Sequence, residues 1–295
     1  MSSATCGLLI NYREPLRTNP CVDSLLADGI NHVLVWDNSA DDGVSARQLL
    51  DQWGKDSCVT VHISPANLGF AAGVNRGIER LLGRHPGARI LLINNDARLL
   101  PGAVDQLNAA LDQNPKAAIA YPRIDHNGRI LGTAYYQRHV GLLSFDRPFP
   151  GSFPYAIGCV LMIAPERIEL PLFDDDFFMY GEDVLLGWRL GPTGMAFVPR
   201  VLAHHEGSAS SGLGSPFYET RLVASHWILA RKLANNRPEL GLLMMGRAVT
   251  LTLRALVRTL RYRNLTPIKA LRRGWRIAHG NDRLHPQCGS GKPAL

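Results

Sequence analysis

The feature that most constrains this chain is an alternation in its N-terminal part. Short apolar runs, Leu8-Leu9-Ile10, Val33-Leu34-Val35-Trp36, Val59-Thr60-Val61-His62-Ile63 and Ile90-Leu91-Leu92-Ile93, are separated by segments with helical spacing. Those segments lie around Pro20–Asp28, Ser45–Trp53, Gly73–Gly83 and Gly102–Asn114. The second and fourth runs show no polar alternation, so both of their faces need cover, as in a parallel sheet between helices. This order predicts a doubly wound α/β domain. In such sheets ligands sit beyond the carboxyl ends of the strands. Asn11-Tyr12-Arg13, Asp37-Asn38 and Asn94-Asn95-Asp96 all fall at those ends. Three polar clusters on one edge predict a ligand site there.

Beyond this alternation the signal weakens. Residues 122–154 are rich in Gly, Pro and Tyr and read as irregular strands and loops near the site. Tyr155–Pro165 reads as one buried strand, Glu182–Leu190 as a short helix stopped by Gly191-Pro192, and Met195–Pro199 as a further strand. Arg221–Ala234 and Leu240–Tyr262 read as longer helices. The expected division is an α/β ligand-binding domain over 1–220, a basic helical segment over 221–280 and a fraying polar tail over 281–295.

Several positions carry chemistry. Asn67-Leu68-Gly69-Phe70-Ala71-Ala72-Gly73-Val74-Asn75-Arg76-Gly77 joins a strand to a helix. Glycines permit close backbone approach and a helix N-terminus favours anions. Arg76 would add a cation for a diphosphate, and Gly73 and Asn75 belong to the same turn; a tight packing turn is the plainer alternative. Asp37 can accept the imide N–H of a pyrimidine base or close an Asx turn. Asp96, at a strand end, suits a hard divalent ion, which takes one or two carboxylates plus substrate phosphates. His204-His205 offers a further ligand or simply loop hydrogen bonds. Glu182-Asp183 starts a helix, where the dipole favours an ionised carboxylate and hence a base, or ordinary capping. One acid holding a metal and another taking a proton suit transfer of a group from a metal-bound diphosphate to a hydroxyl.

Charge and cysteine usage narrow the setting. From Arg221 onward there are fifteen Lys/Arg against two Asp/Glu, so of the total of +7 the preceding part carries −6. A basic C-terminal segment on an acidic body implies an anionic partner surface. It lacks a zinc motif and an RNP-like aromatic pattern, which disfavours nucleic acid. Five scattered cysteines with no C-x-x-C favour reduced thiols. Met1–Leu9 lacks the marks of a secretory signal, and no uninterrupted apolar run approaches the roughly 18 residues that span a bilayer.

Taken together, the motifs at 67–78, 94–96, 177–183 (Phe-Phe-Met-Tyr-Gly-Glu-Asp) and 204–207 (His-His-x-Gly), in that order, resemble the inverting family 2 glycosyltransferases, especially their rhamnosyltransferase-like branch. The resemblance spans about residues 5–230. It implies a GT-A fold, a Rossmann-like, mostly parallel sheet flanked by helices, with the helical segment following it. It implies Mg²⁺ or Mn²⁺ at Asp96 in the D-x-D position, where Asn94 replaces the first acid, with Asn94 and Asn95 near the donor. It further implies donor contacts at Asn11, Tyr12, Asp37 and Asn67, the catalytic base at Asp183, an acceptor side at Gly158, Cys159 and Glu182, and one site-lining histidine of His204 and His205. The implied donor is a dTDP or UDP sugar, dTDP-rhamnose or a UDP-hexose. The acceptor would be a saccharide or lipid-linked saccharide of bacterial cell-surface polysaccharide or lipopolysaccharide. The alternative is an inactive carbohydrate-binding or scaffolding relative.

Leu240–Tyr262 places Arg247, Arg254, Arg258 and Arg261 on one helix face. This arginine face is expected either in water or on an anionic bilayer, which would make the protein cytoplasmic and peripheral on the inner face of the plasma membrane.

Overall fold

The computed structural model describes residues 4–207 and 214–280, so the expected tail over 281–295 lies outside the described residues. A nine-stranded sheet forms the centre. Its first part alternates β1 (Thr5–Asn11), α1 (Pro15–Ala27), β2 (His32–Asp37), α2 (Val44–Trp53), β3 (Val59–Ile63), α3 (Phe70–Arg84) and β4 (Arg89–Ile93). Then come β5 (Ala97–Leu99), α4 (Ala103–Gln113), β6 (Ile119–His126) and β7 (Arg129–Leu131). The strands β8 (Ala134–Gln137), β9 (Leu143–Phe145) and β10 (Ser152–Tyr155) form a separate antiparallel sheet. The chain closes with β11 (Val160–Ile163), α5 (Glu182–Leu190), β12 (Met195–His205), α6 (Pro216–Leu233), α7 (Arg237–Tyr262) and α8 (Thr266–Ala278).

The central order is β3-β2-β1-β4-β11-β6-β12-β5, with β7 on β6. Six of the nine strands run one way, while β11, β5 and β7 are reversed. The order reverses direction at β1, whose neighbours are β2 and β4. That switch point opens a crevice at the strand ends. Register places Asn11 level with Asp37.

Burial explains the runs seen in the sequence. Every residue of β1 and β4 is buried. Each of Ile90, Leu91, Leu92 and Ile93 is worth about 1.5–3 kcal/mol when taken from water. Leu25, Leu49, Trp53, Leu107 and Leu111 cover one face of the sheet. Ala71, Val74, Ile78 and Leu81, at helical spacing on α3, cover the other together with α5 and α6.

Three expectations are corrected. Tyr155–Pro165 is not one strand: β10 ends at Tyr155 in the small sheet, and the chain crosses over 156–159 before β11. Helix α1 starts at Pro15 rather than near Pro20, because proline at the first helical position loses nothing by lacking an N–H. The third concerns α7. Of the four arginines assigned to one face, three face neither water nor lipid but the protein. Arg247 is fully buried, donates from Nη2 to the Arg138 carbonyl at 2.8 Å and lies over the Tyr136 ring. Arg254 and Arg258 donate at 2.7 and 2.8 Å to the two oxygens of Glu219 on α6, itself fully buried. Arg261 alone of the four is exposed, beside the Tyr262 ring. Polar caps fix both helices: Ser215 Oγ accepts from Tyr218 N–H and Asn236 Oδ1 from Glu239 N–H.

Removing the shared carboxylate strands two cations. Glu219→Ala should lower unfolding stability by about 3 kcal/mol or more in urea titration. A loss below about 1 kcal/mol is what solvent-exposed pairs give, and it would show that this trio does not hold α7 down.

Candidate active site

A cleft of about 720 Å³ opens at the switch point. Its wall includes Tyr12, Asn67, Asn94, Asn95, Asp96, Gly158, Cys159, Glu182, Asp183 and His205 among the residues expected from the sequence. A second cavity of about 520 Å³, between Arg13 and Gln48, holds none of them.

The polar floor is built from strand ends. Asn11 Nδ2 donates to Asp37 Oδ1 at 2.7 Å, and Ser39 Oγ donates to the same oxygen. Thr18 Oγ1 donates to Asn11 Oδ1 at 2.7 Å and accepts from Asn95 Nδ2 at 3.1 Å. Asn11 and Asp37 therefore lie beneath the wall, Asp37 being 1% exposed. The residue of that strand end that reaches the cleft is Asn38. Its amide also pins the next loop, donating to Asn67 Oδ1 and the Gly69 carbonyl and accepting from Leu68 N–H.

The glycine-rich turn serves mainly as scaffold. Gly73 packs a Cβ-free face near Asn38, Ile10 and Trp36. Asn75 donates to the Phe173 carbonyl and Asp175 and accepts from Phe173 N–H. Arg76 pairs with Glu79 at 3.0 Å, one helical turn along an exposed stretch of α3. None of these three lines the cleft, which corrects the expectation of an Arg76 cation at a diphosphate. A cation does flank the wall elsewhere. Arg221 on α6 lies 4.0 Å from the ring centroid of Phe178 and 5.7 Å from that of Phe217, and burial lowers its pKa to about 10. Sequence reading gave no role to it, nor to Asn38, Phe178 and Phe217. The dipeptide Asp37-Asn38 and the motif at 177–183 gave local hints for Asn38 and Phe178 alone.

Alternation along β12 separates the two histidines. His204 points outward to Asp125 at 3.0 Å, and His205 points inward, with Nε2 at 3.1 Å from Asp96 Oδ1. Nδ1 of His205 meets Nδ1 of His126 at 3.1 Å. Burial pushes Asp96 up, but the hydrogen bond and charge of His205 outweigh it and hold the carboxyl below its usual range. Burial would lower His205, yet Asp96 and then Cys159 raise it to about 10. A carboxylate oxygen and an imidazole nitrogen on one wall are a donor set that suits Mg²⁺ or Mn²⁺. Among the described residues no group of three or more His, Cys, Asp or Glu is placed to hold a metal ion.

Across the same cleft, Tyr180 and Gly181 take positive φ values of 69° and 91° and turn the chain sharply into α5. This aims Glu182 and Asp183 inward. Asp183 Oδ2 accepts from Gly158 N–H at 3.2 Å and Oδ1 from Val184 N–H at 2.8 Å. Burial raises Asp183 above the usual carboxylate range, against those backbone donors. Glu182 is raised too, by burial and then by the charge of Asp183, so the two adjacent acids resist ionising together. A part-buried, oriented carboxylate of raised basicity can accept a proton from a hydroxyl.

The chain is similar to known proteins in sequence and in fold. The profile of glycosyl transferase family 2 matches residues 8–185. An N-acetylglucosaminyl-diphospho-decaprenol L-rhamnosyltransferase of Mycobacterium tuberculosis is 27% identical over 215 residues, 61% of this chain and 68% of that protein. Among solved structures, a mannosyltransferase from Pyrobaculum calidifontis in complex with GDP-Man and Mn²⁺ superposes with a TM-score of 0.52 at 13% identity, covering 95% of this chain and 87% of that one. GalNAc-T7 with UDP, GalNAc and Mn²⁺ gives 0.56 at 13% identity, covering 89% of this chain and 59% of that one, so this chain spans well under two-thirds of its length. At such identities these structures speak for the fold, which is of the GT-A kind. With more than half its length matched, the chain belongs to glycosyl transferase family 2.

Proposed function

We propose that the protein is an inverting, metal-assisted glycosyltransferase. It moves L-rhamnose from dTDP, or a hexose from UDP, to a hydroxyl of a saccharide or lipid-linked saccharide in the assembly of a bacterial surface polysaccharide or lipopolysaccharide. The observation that carries the reading is that a part-buried carboxylate, Asp183, and a metal-suited pair, Asp96 and His205, line one cleft. The name of the mycobacterial relative supports a rhamnosyl donor and a lipid diphosphate-linked acceptor. A purely carbohydrate-binding relative would have no use for two adjacent acids, one buried and one part-buried, whose desolvation is costly.

In this reaction Asp183 removes the acceptor hydroxyl proton. The oxygen attacks the anomeric carbon from the face opposite the nucleoside diphosphate. The bond to the diphosphate oxygen breaks, its electron pair leaves with the nucleotide, and configuration inverts. Gly158 and Val184 N–H groups hold the carboxylate in line for the transfer. Asp96 and His205 would hold Mg²⁺ or Mn²⁺, which when bound neutralises charge on the departing diphosphate.

Release of dTDP or UDP from the matching donor, in the presence of a polyprenyl-diphosphate saccharide and Mn²⁺, tests the proposal. Asp183→Asn should cut turnover by about 10² or more with donor affinity little changed. Glu182→Gln, which mimics the protonated acid, should stay much closer to the wild type; the reverse ranking would make Glu182 the base.

The pH profile follows from the same pair. A base works only when deprotonated, so turnover should fall as pH drops through the raised pKa of Asp183, about 6. An acid limb at the pKa of an ordinary aspartate, about 3.9, would mean the carboxylate is solvated during turnover.

For the metal, excess EDTA should abolish turnover and Mn²⁺ should restore it, with Asp96→Asn failing to respond. Full activity in EDTA would remove the ion from the reading.

A further inference from the structure

The inversion of α7 leaves its other side unaccounted for. Leu242, Met245, Val249, Leu253, Leu256 and Leu260 follow one another at spacings of three and four and are all exposed, Leu260 by 78%. Val257 beside them is 64% exposed. Between Leu240 and Leu260 no exposed residue is charged, because the arginines of this stretch are turned inward. The result is an apolar strip about 30 Å long at 1.5 Å per residue, far more than scattered surface leucines.

Basic residues bound the strip. Arg237 is exposed at its start, and Arg261, Arg263, Lys269, Arg272 and Arg273 are exposed just beyond its end. No Asp or Glu occurs from Leu240 to Gly280. Trp275 and Tyr262, which favour the boundary between water and lipid, are part-exposed on the same helices. The strip also ends beside the cleft. The Tyr262 ring lies against Gly214 and Arg258 lies over the Tyr218 ring, on either side of the wall residues Ser215 and Phe217.

We propose that α7 is a membrane-docking helix that lies in the plane of an anionic bilayer, with its apolar strip among the acyl chains and its basic ends on the headgroups. By length and composition alone α7 could cross a membrane, although no uninterrupted apolar run of that length exists in the sequence. The bonds of Arg247, Arg254 and Arg258 to the body keep it alongside instead. Apolar area and basic charge act together in such helices. The charge decides between occupants: a second copy docked through the same strip would bring two uncompensated basic rims together, with no carboxylate in the segment to answer them. The chain's residues 281–295 hold only two leucines among their large apolar side chains, too few to cover the strip. Docking deepens the proposed function, on whose lipid-linked acceptor it rests for its purpose, but binding can be measured without turnover.

The test is co-sedimentation of the full chain with vesicles of phosphatidylglycerol and phosphatidylethanolamine, or of phosphatidylcholine alone. The wild type should bind the anionic vesicles about tenfold or more better. Leu253→Asp with Leu256→Asp should reduce that binding by about tenfold or more, with a thermal melt like that of the wild type because both side chains already face water. Arg272→Glu with Arg273→Glu should erase the preference for anionic lipid. Absence of wild-type binding, or undiminished binding by the double aspartate variant, overturns the proposal. So does a wild-type dimer in solution that the aspartates convert to monomer without any vesicle binding, since the strip is then an interface between copies. If docking fails while Asp183→Asn still abolishes transfer, the reading of the cleft stands on its own.

Discussion

The cleft depends on a contact that only glycine permits. Gly69 sits at φ 82°, and a Cβ there would come within 2.4 Å of the Phe178 carbonyl. That carbonyl accepts from Phe70 N–H at 2.7 Å. The turn that opens α3 and the segment that leads into α5 are thus joined directly, although more than a hundred residues separate them. Asn38 fixes the turn from one side, and Arg221 stacks on the Phe178 ring from the other. With this joint in place Tyr180 and Gly181 can turn Glu182 and Asp183 toward the strand ends. Without it the Glu182–Asp183 pair and the Asp96–His205 pair would belong to separately moving parts.

The electrostatics follow from how dry that junction is. The two walls treat carboxylates in opposite ways. Asp96 faces a histidine and is held anionic, whereas Glu182 and Asp183 face apolar packing and backbone donors and have their basicity raised. Environments that push like groups apart assign them different tasks. The desolvation that makes Asp183 a better base is the same desolvation that makes it expensive, and Gly158 N–H and Val184 N–H offset part of that cost.

How much of this was legible in the sequence differs from residue to residue. The four apolar runs became β1 to β4; β1, β2 and β4 are covered on both faces, which leaves no ambiguity of face, while β3 is only partly covered. The ends of those strands then located Asp96 without further information. Glu182–Leu190 was legible because Gly181 and Gly191 bracket it. Side-chain direction was not. The choice between His204 and His205 depends on the register of β12 against β6 and β5, a long-range pairing that no local pattern states. Arg76 sat in the right motif on the wrong side of its helix. Tyr155–Pro165 looked like one strand because the crossing at 156–159 is as apolar as its flanks. On α7 periodicity found the arginine stripe, but not that Arg247, Arg254 and Arg258 turn inward beside the buried Leu243 and Leu251. The deciding partner, Glu219, lies in another helix.

That helix therefore obeys substitution rules opposite to those of an ordinary surface helix. Its inward side mixes the core residues Leu243, Leu251 and Ala255 with arginines that are matched by charge: a change at Arg254 or Arg258 has to be answered at Glu219, 35 or 39 residues away. Its outward leucines answer to no shape within the chain, so exchange among Leu, Ile, Val and Met there would leave the fold indifferent. Among descendants of this sequence, α7 should drift freely on the side that looks like a core and stay fixed on the side that looks like a surface.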